Sequence, residues 1–131
     1  MFTNVLDYLD LSVAQYAEKT ALSDSKNQAT YKELDALSDS IGTAVIEKCK
    51  SKNAPVVVFI DRNIESVISF MGIAKSGNFY VPVDRQLPVK RVELIVKTLS
   101  PVAAVMWERD KKITDMAWFN EGKPFAILHV Y

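Results

Sequence analysis

The chain has 131 residues, 49% of them apolar and 24% charged, the make-up of one ordinary globular domain and not of a disordered segment. Sixteen Lys and Arg balance sixteen Asp and Glu, so no broad electrostatic footprint favours nucleic acid or an anionic membrane. The single cysteine, Cys49, excludes an internal disulfide, and with one histidine, His129, a metal site would need carboxylates.

The first segment, "NVLDYLDLSVAQY", places Val5, Leu6, Leu9 and Val13 on one helical stripe, with Asn4 as its cap. "TALSD" and "QAT" then read as two small strands joined by the turn formers of "SDSKN". In "TYKE", Thr30 can accept from the backbone N–H of Glu33 while Glu33 reaches back to Thr30, a capping box. Leu34, Leu37, Ile41 and Val45 follow as the apolar face of that helix, and the basic "EKCKSK" suits its negative end.

"VVVFI", residues 56–60, is a β-branched run expected to be buried on both faces. Ile64, Val67, Ile68, Met71 and Ala74 mark a second helix, closed by Lys75 and by Gly77 as a left-handed stop. "FYVPV" is a short strand whose Pro82 implies an edge, a bulge or irregular geometry. Pro88 suits the first turn of a third helix, with Val92, Ile95, Val96 and Leu99 on its stripe. "VAAVMW" reads as the next buried strand, "KKITDMAWF" as a helix and "FAILHV" as a last strand.

Strands alternating with helices are the signature of an α/β fold with a largely parallel sheet and helices on both faces. No internal repeat, low-complexity segment or linker interrupts it, so residues 1–131 form one unit.

The search for chemistry is mostly negative. Gly42, Gly72, Gly77 and Gly122 are scattered, so neither a GxGxxG nor a Walker-type phosphate loop exists. HExxH, CxxC and G-x-S-x-G are absent as well. Cys49, among lysines, reads as a half-buried structural thiol, and His129 as a satisfied or surface histidine in a strand. Asp61 and Arg62 follow a buried strand, where α/β ligand sites often lie, yet a solvated loop or helix cap is the favoured role. Asp84 and Arg91 could pair, or cap the turn around Pro88; Trp107, Trp118 and Phe119 read as core. No residue stands out as catalytic, cofactor-binding or metal-binding.

Two stretches nevertheless resemble a known family. "GIAKSGNFYVPVD" followed by "LPVKRV" is similar to the L-K-A-G-x-x-Y-V-P-[ILV]-D-P-x-x-P-x-x-R motif of adenylate-forming enzymes. Ala74, Lys75, Gly77, Tyr80, Val81, Pro82, Asp84, Pro88 and Arg91 occupy the corresponding places. Upstream, "ATYKELDALSDSIGTAV" resembles the family's [LS]-T-Y-x-E-L motif through Thr30, Tyr31, Glu33 and Leu34. Ser76 and Arg85 depart from the pattern, and Leu87 in place of an aromatic looks more like the D-alanine–carrier-protein ligases. The resemblance covers residues 4–107.

The resemblance implies the amino-terminal subdomain of an adenylation domain whose later subdomains are absent. The parent would activate a carboxylate, an amino acid first among candidates, with ATP and Mg, and pass the acyl group to a carrier-protein or CoA thiol. The family's Ser/Thr/Gly-rich phosphate loop, adenine motifs, metal-associated acid and carboxy-terminal lysine all come later in such chains, so this piece is expected to be inactive alone. Its partners would be the remainder of the domain and a carrier protein, with no nucleic acid and no membrane. The alternative is a stand-alone, non-catalytic interaction module, pairing as a homodimer through exposed sheet edges. With no membrane-length apolar run and no signal peptide in "MFTNVLDYLD", the expected location is cytoplasmic.

Overall fold

A computed structural model describes residues 3–107 and the backbone of 126–129. In chain order these are α1 (Val5–Tyr16), β1 (Thr20–Ser23), β2 (Gln28–Thr30), α2 (Tyr31–Cys49), β3 (Pro55–Ile60), α3 (Ile64–Lys75), β4 (Phe79–Asp84), α4 (Val89–Leu99), β5 (Ala103–Met106) and β6 (Ala126–His129). The segment read as a helix at "KKITDMAWF", with Trp118 and Phe119, lies outside the described residues.

β1 and β2 form an antiparallel hairpin with an irregularity between Thr20 and Leu22. The remaining strands form a parallel sheet in the order β4-β3-β5-β6. From β3 the chain steps to β4 on one side, then crosses back over β3 to β5. Right-handed crossovers in opposite directions must place α3 and α4 on opposite faces. The packing agrees: Val56 and Val58 of β3 face a core shared with α2 and α3, including Ile41, Val45, Ile68 and Ile73. Val57 and Phe59, pointing the other way, meet Val92 and Val96 of α4. β3 is therefore buried on both faces, as its unbroken apolar run requires.

The start and stop signals act as their chemistry dictates. Asn4 accepts from Leu6 N–H at 2.8 Å, and Thr30 and Glu33 exchange bonds of 3.0 and 3.1 Å across the first turn of α2. Gly77 adopts φ +82°, a backbone that a side chain would strain. Pro88 sits one residue earlier than a first-turn position, as the N-cap of α4, its carbonyl accepting from Arg91 and Val92. Pro82 lies in an edge strand without a bulge, since β4 pairs with β3 in regular register from Pro55↔Phe79 to Ile60↔Asp84.

Two expected core positions are displaced. Leu37 is 45% exposed, and the buried line of α2 runs instead through Leu34, Ser38, Ile41, Gly42 and Val45. The reason is the neighbour: α3 approaches so closely at the crossing that Gly42 and Gly72 leave no room for a Cβ, which turns the Ser38 and Gly42 side of α2 inward and Leu37 outward. Val5 is 48% exposed because α1 touches the core only mid-helix, at Leu9 and Val13. Cys49 is half-buried, and burial raises its thiol pKa above the ordinary value despite Lys48 nearby, as an inert structural thiol requires.

Candidate functional site

In an open parallel sheet, ligands gather beyond the carboxyl ends of the strands, where successive connections leave toward opposite faces. Here that point lies at the carboxyl end of β3, beside Ile60, where the strand order reverses between β3 and β5. A cleft of about 600 Å³ opens on the α3 side, between the hairpin loop (Leu22, Ser23, Asp24) and the β3–α3 turn, with Phe70 in its wall.

Three side chains build its rim. Asn63 caps α3, its Oδ1 accepting from Ser66 N–H at 3.1 Å and from Ser66 Oγ at 2.8 Å. Asp24 reaches across from the hairpin: Oδ1 accepts from Lys26 and Asn27 N–H, each at 2.7 Å, and Oδ2 from Ile64 N–H at 2.9 Å. The backbone donors of Asn27, Ile64 and Lys26 hold the Asp24 carboxyl below the usual carboxylate range. Asp61, at 3.8 Å from Arg85, bridges the carboxyl ends of β3 and β4, while its Oδ1 accepts from Arg62 N–H.

This arrangement does not suit a polyphosphate. A helix N-terminus binds anions through its free N–H groups, yet at α3 the Ile64 and Ser66 donors already serve Asp24 and Asn63. Asp24 and Asp61 also place two carboxylates on the same rim. Among the described residues, no group of three or more His, Cys, Asp or Glu could hold a metal ion. Nor, among the described residues, is any helix long and apolar enough to cross a membrane.

The motif residues lie elsewhere, in packing roles. Thr30 and Glu33 cap α2, and Leu34 is buried. Lys75 Nζ bridges Asp35 Oδ1 at 2.8 Å and Asp39 Oδ1 at 2.7 Å, tying α3 to α2. Tyr80 stacks on Phe70 with centroids 4.4 Å apart. Asp84 Oδ1 accepts from Gln86 N–H at 2.8 Å, so it caps its turn; among the described residues no ion pair joins it to Arg91, which is exposed. Trp107 is half-buried, its Nε1 donating to Ser69 Oγ at 2.6 Å. The side chain of His129 lies outside what is described, though its backbone pairs with Met106.

Sequence reasoning missed Asp24, Asn63 and the Asp61–Arg85 pair. Asn63 before an apolar helical stripe and Asp24 within "SDSKN" are local signals that were available. The reach of Asp24 to Ile64, forty residues away, and the pairing across two strand ends have no local signal.

The sequence pattern of the AMP-binding enzyme family matches residues 9–126, which carries the likeness past Trp107. Syringomycin synthase SyrB1 of Pseudomonas syringae is 40% identical over 83 residues, 63% of this chain and 14% of that protein. The D-alanine–D-alanyl carrier protein ligase of Listeria welshimeri is 30% identical over 124 residues, 92% of this chain and 24% of that protein. Among solved structures, the complex of VinN with L-aspartate superposes with a TM-score of 0.84 at 18% identity, over 96% of this chain and 35% of that one. The N-terminal subdomain of Klebsiella oxytoca NpsA gives 0.77 at 20% identity, over 98% and 32%. The chain thus spans well under half the length of each of these relatives.

Proposed function

The chain belongs to the AMP-binding enzyme family, and from that premise we propose that it is the amino-terminal part of an ATP-dependent, AMP-forming carboxylate ligase. The preferred substrate class is an amino acid, and the acceptor a thiol on a carrier protein or CoA. The relatives support this direction, since one is named as a D-alanine–D-alanyl carrier protein ligase and another as a syringomycin synthase. We place the protein in the cytoplasm, in keeping with its one unpaired cysteine.

One observation carries the reading: both motifs of the family occur in order within a matched span of residues 9–126. Their side chains cap, bridge and stack instead of converging on a ligand. ATP and Mg then belong to the complete ligase, and the described residues contribute scaffold. Adenylation needs positioned positive charge around the transferring phosphoryl group, and the rim of the cleft offers carboxylates instead. The isolated chain is therefore inactive and works only with the rest of an adenylation domain.

The test is ATP–pyrophosphate exchange with the purified chain over a panel of amino acids and small carboxylates. No carboxylate-dependent exchange is expected. Robust exchange would overturn the claim of inactivity. A downstream reading frame without a Ser/Thr/Gly-rich phosphate loop would overturn the ligase fragment itself.

A further inference from the structure

The edge of the sheet at β4 has a backbone pattern that bears on how this chain meets other proteins. In a parallel ladder, alternate residues turn both backbone groups toward the same neighbour. Phe79 N–H donates to Ala54 C=O at 3.1 Å, and the register to β3 runs without slip through Ile60↔Asp84. Phe79, Val81 and Val83 therefore spend their backbone groups on β3, and Tyr80, Pro82 and Asp84 turn theirs outward.

On that outward side, Tyr80 offers an N–H and a C=O. Pro82 has no N–H. The carbonyl of Asp84 already accepts from Leu87 N–H at 3.1 Å. A strand laid along this edge would find donors only at Tyr80 and Asp84, with none between them. β4 carries no lysine, and its ladder has no bulge. Its first residues are aromatic and open, Phe79 at 49% and Tyr80 at 38% exposure. Without Pro82, "FYVPVD" would be a regular, apolar, β-prone edge of the kind that recruits other chains.

We infer that Pro82 closes the β4 edge to strand addition, so that copies of this chain do not join their sheets through β4. On this inference the homodimer through exposed sheet edges, the alternative reading of the sequence, does not form through β4. The inference is independent of whether the chain belongs to a longer ligase, because it concerns backbone groups present here.

The experiment compares the chain with Pro82→Thr by analytical ultracentrifugation over a concentration series, with amide hydrogen exchange at Tyr80 and Asp84. The parent chain is expected to leave both amides unprotected at every concentration. Pro82→Thr is expected to self-associate at least about tenfold more tightly and to protect both amides as it does so. A second substitution, Tyr80→Lys in the Pro82→Thr background, is expected to reverse the association by charging the opened edge. If Pro82→Thr does not fold by circular dichroism, Pro82→Ala replaces it, since alanine restores the N–H with the least added bulk. A folded variant that stays as monomeric as the parent overturns the inference. So does a parent chain that dimerises with Tyr80 and Asp84 protected.

Discussion

Gly42 and Gly72 meet where α2 crosses α3, and a Cβ on Gly42 would sit 2.9 Å from the carbonyl oxygen of Gly72. A Cβ on Gly72 fares worse, at 2.6 Å from both Cβ and Cγ2 of Ile41 and 2.9 Å from the Ser38 carbonyl. The contact is backbone against backbone, and it explains why Ser38 is fully buried while Leu37 is turned out.

Gly72→Ala should therefore destabilise the fold despite the better helix propensity of alanine. Overpacking costs about 1–3 kcal/mol and the propensity gain returns about 1 kcal/mol, leaving a net loss of about 0–2 kcal/mol, toward its upper end because the Ser38 carbonyl is fixed backbone. Gly42→Ala should cost less, because its added Cβ meets one atom closer than 3.0 Å, the Gly72 carbonyl oxygen, where a Cβ on Gly72 meets three. Urea unfolding of the two variants checks both the sign and the order.

The Lys75 bridge gives an alkaline limb to the stability curve. Burial, the largest single influence, pulls the ammonium pKa down, but hydrogen bonds to Asp35 and Asp39 and their charges together outweigh it, so the net shift is upward. A cation whose folded pKa is raised contributes fully below its unfolded value, near 10.4, and loses that contribution as pH rises through the folded value. Lys75→Met should cost about 1 kcal/mol at neutral pH, most of it through Asp35, the less exposed of the two partners. It should also flatten the loss of stability above about pH 10, measured by thermal unfolding across the alkaline range.

Asp24 acts at the opposite end of the pH scale. Its carboxyl is held low first by Asn27 N–H, then by Ile64 and Lys26 N–H, so its contribution is present above the unfolded pKa of about 3.9. That contribution is lost as pH falls through the lower folded value. Asp24→Asn should lower the acid slope of stability and loosen the hairpin from the start of α3. Faster amide exchange at Ile64, with the α4 side unchanged, is the expected signature.

The secondary structure was legible because its signals are local. Thr30 and Glu33 announce the start of α2, Gly77 ends the turn after α3, and "VVVFI" can only be a strand covered on both sides. The packing of α2 was not legible, since periodicity ranks Leu37 above Gly42 when no partner helix is in view. The rim of the cleft was half legible: Asp24 and Asn63 carry recognisable turn and cap chemistry, but their convergence on the first turn of α3 depends on the hairpin folding back over the sheet.

The sequence by itself determined the family, through two ordered motifs, and the order of strands and helices, through apolar periods and capping residues. These are properties of neighbours along the chain, where steric and hydrogen-bonding preferences act within a few residues. Only the tertiary structure decided that the motif residues brace helices and a strand edge, as Lys75 does between Asp35 and Asp39. It also decided that the Ile64 and Ser66 N–H groups of α3 are taken and that the outward groups of β4 fall on Tyr80, Pro82 and Asp84. Those facts follow from sheet register and helix crossing, which bring distant residues into contact and have no trace in local spacing.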